Sequence, residues 1–291
     1  MENFKTEVKS LKPLGFCIQN PKLAIYSTTI TESPHVVLEI ARKRKESFKS
    51  AGVHIKSDLD LDDYDVSGQQ QSQMFIWDTE QQAIVGGYRY SYNNNIPPAN
   101  SPMGKKFTFT DKFTQENWIH LGRSFLSVEY QKTRYGMISL MEGLGCIFTK
   151  ANNPIGFFGK VTVPALYQEN GATDFLVAFC KHYWINVDSL GSVHKDHEYK
   201  VSDIADFAMR HMNLKGDYKE VTAFLRQKYE RPGLPILRMY DSLAQSFSSI
   251  HFLGAFVHED FGGSTEIGMA LAKENFSETA RAYIEPYMRK E

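Results

Sequence analysis

The sequence predicts an α/β protein, and three observations carry that expectation. Strand-like runs alternate with helical patterns between about residues 22 and 185, a clear hairpin lies at 74–92, and a strand–turn–helix follows at 118–150. Lys22–Ile30 (KLAIYSTTI) is rich in β-branched and aromatic residues and reads as the first strand. Ser33 then stands at an N-cap position with Pro34 in the first turn. The helix it starts runs to about Ser50 and shows Val37, Leu38, Ala41 and Phe48 as its apolar face. The acidic stretch SDLDLDDYD (57–65) has no period and reads as loop. The hairpin consists of Met74–Trp77, a turn at Asp78–Gln82, and Ala83–Tyr92. After the Asn- and Pro-rich loop NNNIPPANSPMG come a strand at about Trp118–Val128, the turn EYQKTRYG and a helix at Met137–Lys150. A strand at Ile155–Val163 and a helix at Tyr167–Trp184 complete the alternation. Residues 1–21 read as a lead-in, residues 22–185 as the α/β core, and residues 186–291 as an α-rich C-terminal extension packed on that core.

Composition narrows the function classes. The 291 residues hold 33 Lys and Arg against 34 Asp and Glu, a net charge of −1, which lacks the basic excess of an electrostatic nucleic-acid binder. Apolar content of 42% with 23% charge is that of a globular chain. No uncharged apolar run approaches the ~20 residues of a spanning helix, and charges in MENFKTEVKSLKP occupy the place of a secretory h-region. Three widely spaced cysteines, Cys17, Cys146 and Cys180, form neither a zinc pattern nor a disulfide framework, so the expected setting is cytoplasmic. No Walker loop, dinucleotide fingerprint or Gly-x-Ser-x-Gly elbow is present. The histidines His194, His197 and His258 lack companions at zinc spacing, so no metal is expected.

The turn entering the helix at 137 is the most informative piece. A helix N-terminus offers unpaired N–H groups and a positive dipole end to an anion. Gln131, Lys132, Thr133, Arg134, Tyr135 and Gly136 add two cations and a glycine, suited to a phosphate. Solvated surface charge is the competing reading of Lys132 and Arg134.

The order of elements resembles the GNAT N-acyltransferase superfamily, whose acyl-donor loop follows a Gln/Arg-x-x-Gly-x-Gly/Ala pattern. Gln131 and Gly136 match its ends, and Arg134 stands where the first glycine is expected. RKRKESF (42–48), DLDDYD (60–65), FIWDTEQQAIVGGYRYS (75–91), LGRSFLSVEYQ (121–131) and FFGKV (157–161) resemble the hemolysin-like branch, which includes the ornithine- and glycine-lipid N-acyltransferases. LPILRMY (234–240) and EDFGG (259–263) resemble its C-terminal region, and the Gly-Arg-Ser-Phe neighbourhood is similar to that of acyl-homoserine-lactone synthases. The resemblance implies a mixed, mainly antiparallel sheet flanked by helices. It implies transfer of an acyl group, 3-hydroxyacyl in such enzymes, from acyl carrier protein or acyl-CoA to the amine of a small acceptor such as an amino acid. No cofactor is permanently bound on this reading. An acetyl-CoA-dependent small-molecule N-acetyltransferase and a GNAT-fold binding protein are the alternatives.

Residue roles follow from the same resemblance. The pantetheine arm would lie between the strands at 118–128 and 155–163, with backbone N–H groups near Phe125 and Leu126 polarising the thioester carbonyl. His120 replaces a glutamate usual two residues before the Gly-Arg. It reads either as a general base titrating near neutrality or as a packed core histidine. Arg123 reads as a buried ion pair that shapes the site, with Asp62, Asp63 or Asp65 as partner, or as a cation of the acceptor pocket. Arg89, Asp63 and Asp65 complete the expected substrate-binding group. The run RKRK (42–45) reads as a solvated helix face that an acidic acyl carrier protein could dock on, and a peripheral membrane contact is a further expected partner.

Overall fold

Alternating apolar residues in the strands force a sheet with two distinct faces, and the way each is covered defines this fold. The computed structural model describes residues 3–53, 55–66, 71–185 and 190–288. The expected change of texture at residue 186 therefore begins outside the described residues, which resume at Leu190. In chain order the elements are α1 (Asn3–Ser10), β1 (Gly15–Phe16), β2 (Leu23–Thr28), α2 (Pro34–Ser50), α3 (Asp63–Val66), β3 (Ser72–Asp78), β4 (Ala83–Tyr92), β5 (Phe107–Phe109), α4 (Asp111–Gln115), β6 (Ile119–Leu126), α5 (Arg134–Lys150), β7 (Gly156–Val163), α6 (Ala172–Tyr183), β8 (Gly191–Val193), α7 (Asp203–His211), α8 (Tyr218–Tyr229), α9 (Pro235–Leu243), β9 (His251–His258), β10 (Ser264–Ala272) and α10 (Glu278–Met288).

Eight strands form one sheet in the order β1-β2-β3-β4-β6-β7-β10-β9, and β5 pairs with β8 apart from it. Every neighbouring pair of the large sheet is antiparallel except β6 and β7. This is the mixed, mainly antiparallel α/β architecture expected. Among the described residues the C-terminal third contributes four α-helices, and it also supplies β9 and β10, which continue the sheet outward from β7. The lead-in is more structured than its mixed composition suggested. Val8 is buried, and Phe4 meets Trp77 edge-to-face at 6.1 Å, so α1 covers one end of the sheet.

One face is mostly apolar: Ile25, Ile76, Tyr88, Leu121, Val161 and Ile267 share a continuous cluster with Leu144 of α5 and Phe179 of α6. The opposite face is divided. Tyr26, Phe75 and Phe125 pack with Ile40 of α2 at one end, and Phe158, Phe256 and Trp118 pack with Phe107 of β5 at the other. Between these two clusters the face is polar. The face of α2 differs from expectation in two places, because Leu38 is exposed while Arg44, inside the run read as solvated, is 0% exposed.

The helix α5 crosses α10 closely enough to require glycine. A Cβ at Gly145 would lie 2.0 Å from the Tyr283 carbonyl oxygen. Gly→Ala in a helix ordinarily gains up to about 1 kcal/mol. Here the helices would have to separate, so Gly145→Ala is expected to destabilise by about 1–3 kcal/mol, read as a fall in Tm. An unchanged or raised Tm would show that this crossing yields without cost.

Candidate active site

The polar centre of the sheet is built by the acidic loop folding over β3, β4 and β6. Lys45 Nζ donates to the Ser57 and Asp58 carbonyls at 2.6 and 3.2 Å, which ties the loop to α2. Three arginines and three aspartates then close a ring. Arg44 bridges Asp60 and Asp65, with Nε–Oδ2 of 3.0 Å and Nη2–Oδ2 of 3.1 Å. Arg89 bridges Asp65 and Asp62, with Nη1 at 3.1 and 2.5 Å. Arg123 bridges Asp62, with Nη2 at 3.0 Å, and Asp60. Gln73 joins the ring by donating to Asp65 at 2.7 Å and accepting from Arg44 at 3.2 Å.

Burial by itself would raise the Asp65 pKa, but Arg44 and Arg89 outweigh it and hold the carboxyl below its ordinary range. Burial would likewise depress Arg89, which Asp65 and Asp62 overcome, so it is raised. Arg123 is pushed down to about 9 by burial and by Arg44, with Glu266 opposing, and stays cationic at neutral pH.

The expected roles are revised accordingly. Arg89 and Asp65 are 2% and 1% exposed and paired within the ring, which places them beneath the open face of the site. Asp63 is exposed and stands outside the ring. Arg123 is a ring member, paired with Asp62 as one of the expected candidates and with Asp60, which the sequence did not single out. Its backbone sits at φ 53, left-handed for a bulky residue, where the β4–β6 register slips. Such a conformation costs roughly 1–3 kcal/mol and persists only where its surroundings over-determine it. Here two carboxylates hold the side chain, and Phe261 covers it with its ring centroid 5.2 Å from the guanidinium.

The run RKRK is tied down at each position: Arg42 to Glu39 and Glu46, Lys43 to Glu129, Arg44 in the ring, and Lys45 to the loop. It is correspondingly a loop anchor more than a free basic patch.

The cleft lies where β6 and β7 part. Their parallel pairing covers Ile119–Phe157, His120–Phe158 and Leu121–Gly159 and then stops, while both strands continue. Ser127 N–H donates to Val85 in β4, so alternation turns the Phe125 N–H toward β4 and the Leu126 N–H toward the cleft. Of the two N–H groups expected to face a thioester carbonyl, Leu126 has that orientation and Phe125 does not.

The anion loop follows at once. Gln131 donates to the Leu126 carbonyl at 3.2 Å and to Ser50 of α2 at 3.2 Å, fixing the turn. Thr133 is the N-cap of α5 but spends its hydroxyl on the Tyr130 carbonyl, so no side chain caps the helix. Its start at Arg134, three residues earlier than the period indicated, puts Arg134, Tyr135 and Gly136 in the first turn. A Cβ at Gly136 would meet the Tyr130 carbonyl oxygen at 2.5 Å, so a glycine lets the turn pass this close. Lys132 and Arg134 are exposed beside it.

His120 is 2% exposed on the polar face, its Nδ1 3.0 Å from Gln71 Nε2 and its ring centroid 5.0 Å from that of Phe158. Burial, reinforced by Arg89 and Lys160, depresses its pKa to about 3. It is therefore neutral and does not titrate near neutrality as expected of a base. Two further side chains share its face and were not foreseen: Lys160, in the FFGKV run, and Glu266 of β10, 3.6 Å apart. Glu266 accepts from Thr162 at 3.0 Å and lies 3.9 Å from His258 Nδ1. The motif EDFGG delivers Phe261, whose ring also meets Phe48 at 5.4 Å. All three cysteines are buried, and burial pushes the Cys17 and Cys180 thiols upward, away from nucleophilic use. Among the described residues no group of three or more His, Cys, Asp or Glu side chains could hold a metal, and no helix is long and apolar enough to cross a membrane.

Residues 44–141, which contain the ring, the cleft strand and the anion loop, match a family model described as an acetyltransferase (GNAT) domain. The chain is 30% identical over 274 residues to a glycine N(alpha)-acyltransferase of Bacteroides thetaiotaomicron, covering 88% of this chain and 79% of the relative. It is 29% identical to a glycine N(alpha)-acyltransferase of Phocaeicola vulgatus over 99% of this chain and 91% of the relative.

The buried histidine has a measurable consequence. Its folded pKa lies below the unfolded value of about 6.5, so below that pH the unfolded chain binds a proton that the folded chain refuses. The stability associated with neutral His120 is complete above about pH 6.5 and is lost as pH falls toward 3, at up to about 1.4 kcal/mol per pH unit. His120→Gln, which does not titrate, should flatten Tm against pH between 6.5 and 4 relative to wild type. Parallel curves for the two proteins would mean that His120 is not held neutral.

Proposed function

The chain belongs to the GNAT acyltransferase family, and on that premise we propose that it carries a long acyl group from a pantetheine thioester to the α-amine of glycine. The observation that carries the reading is the parting of β6 and β7 after Leu121 and Gly159, beside an uncapped helix start. A pantetheine arm is narrow and hydrogen-bonds along its length, which suits a gap between two strand edges. Its phosphate would rest on the first N–H groups of α5, with Lys132 and Arg134 as the flanking cations. The Leu126 N–H is oriented to stabilise the oxyanion. Acceptor glycine follows from the relatives' names, which cover most of both chains.

Chemically, the free amine attacks the thioester carbonyl, a C–N bond forms, and collapse of the tetrahedral intermediate expels the thiolate, which takes up the proton lost by nitrogen. His120, held neutral against Gln71, orders the floor of the site without supplying a base that titrates near neutrality. On this reading a long acyl chain would run along the apolar face behind the cleft. There Tyr88 donates to Met239 Sδ at 2.7 Å, and Tyr240 and Leu237 of α9 are buried in the same cluster. Acyl carrier protein, presenting one phosphate, is the preferred donor because Arg134 occupies the place of the loop's first glycine. A 3-hydroxyacyl chain is the form taken by the enzymes this sequence resembles.

Incubation with acyl-carrier-protein, long-chain acyl-CoA and acetyl-CoA donors and an amino-acid panel, read by mass spectrometry, tests this directly. N-acylglycine from a long-chain donor is the expected product. Turnover of acetyl-CoA alone, or of no thioester, overturns it. In the donor loop, Lys132→Ala with Arg134→Ala should raise the donor KM roughly tenfold, the equivalent of about 1.4 kcal/mol, with Tm unmoved. An unchanged donor KM would remove the phosphate from residues 131–136.

A further inference from the structure

An amino acid brings a carboxylate into the cleft one carbon from the attacking nitrogen, and that charge requires a cation. The ring does not provide one, since Arg44, Arg89 and Arg123 each already pair with two aspartates. Lys160 stands on β7 immediately after Gly159, the last residue paired to β6, so it occupies the point where the strands part. Strand alternation puts it on the same face as Phe158 and His120. Its side chain is 18% exposed, about as much as the 19% of Arg123, which two aspartates already engage, and unlike those of Arg44 and Arg89 at 1% and 2%. Among the described residues its one carboxylate neighbour is Glu266, at 3.6 Å, beyond close hydrogen-bond contact. Glu266 in turn is held from the other side by Thr162. An ammonium has three donors, so Lys160 keeps capacity that a ligand can use. Burial holds the Lys160 ammonium below the ordinary lysine range, Glu266 opposes this, and Arg123 and Arg89 are near enough to add to the lowering and to the positive potential of the spot.

We infer that Lys160 receives the carboxylate of the acceptor and sets specificity for α-amino acids over other amines, with Glu266 positioning it. The inference rests on the proposed amino-acid acceptor and adds the residue that recognises it. The aromatic neighbour Phe256, whose ring centroid lies 5.4 Å from Nζ, confines the ammonium without neutralising it.

The test uses the full chain, whichever thioester donor it turns over, and two acceptors, glycine and glycinamide, compared per unprotonated amine. Wild type should favour glycine roughly ten- to a hundredfold in kcat/KM, the range of a charge-assisted hydrogen bond. The double variant Lys160→Met/Glu266→Gln removes both charges together and so leaves no buried ion unpaired. It should lose that preference to within about twofold of unity, the loss falling on glycine KM. Lys160→Arg, which keeps a cation, should retain the preference. A wild-type ratio near one overturns the inference, as does a folded double variant that still prefers glycine or loses both acceptors in equal proportion. If Lys160→Arg abolishes the preference, a cation at this position is not what selects glycine. Failure of wild type to acylate glycine with any donor overturns the proposed function itself, a result distinct from each of these.

Discussion

Six charges in a closed ring, four of them buried and two, Asp62 and Arg123, at its partly exposed edge, are the constraint around which this site is arranged. No element supplies more than a fraction of it: Arg44 comes from α2, Asp60, Asp62 and Asp65 from the loop and the short helix α3, Arg89 from β4 and Arg123 from β6. A charge taken out of water is costly unless paired, and here every charge has two opposite neighbours. The ring is better understood as a device for specifying geometry than as a source of net stability, because apolar residues of the same volume can be as stabilising. It works by exclusion: any arrangement of loop, helix and sheet that leaves one member unpaired is strongly disfavoured. That exclusion also accounts for Arg123 remaining at φ 53, a backbone shape its own side chain disfavours.

The cleft depends on the ring in turn. The left-handed residue lies in the slipped register between β4 and β6, and from Gly122 onward β6 has no strand on its other side. An unpaired strand edge is ordinarily a liability. In this fold it is kept inside the sheet, where β7 pairs normally up to Gly159 and then leaves with β10 on its far side. The result is a gap with hydrogen-bonding edges, an apolar cluster behind it and a charged floor in front.

The C-terminal third shapes this centre from the opposite side. β10 brings Glu266 beside Lys160, and the turn between β9 and β10, with Gly262 and Gly263 at φ 65 and 69, brings Phe261 over Arg123. Behind the sheet, α9 places Met239 against Tyr88. Residues more than 130 positions from Arg123 in sequence therefore cover it, and the site is not contained in the segment that matches the family model.

Periodicity and turn chemistry were enough to place the central strands and most of the helices, because those signals are local: alternation in 83–92, helical spacing in 137–150, Pro34 and Ser33 at a helix start. The run LGRSFLSVEYQ reads as β6 and the turn after it for the same reason, since both are made from consecutive residues. What the chain alone did not settle was partnership. Arg44 sits within RKRK, a pattern that usually means solvent, and only the loop packed over it makes it a buried ion. Asp63 and Asp65 are alike in a line of text, yet one is in water and the other in the ring, because α3 turns the first outward and the second inward. His120 could not be assigned a protonation state from its neighbours in sequence, since Gln71, Phe158, Arg89 and Lys160 reach it through other strands. The sequence by itself determined which segments become strands, helices and the tight turn that enters α5. Which charges are buried, which of them pair and which histidine is neutral were decided by tertiary structure, because desolvation and pairing depend on what lies across the fold and not on what lies next in the chain.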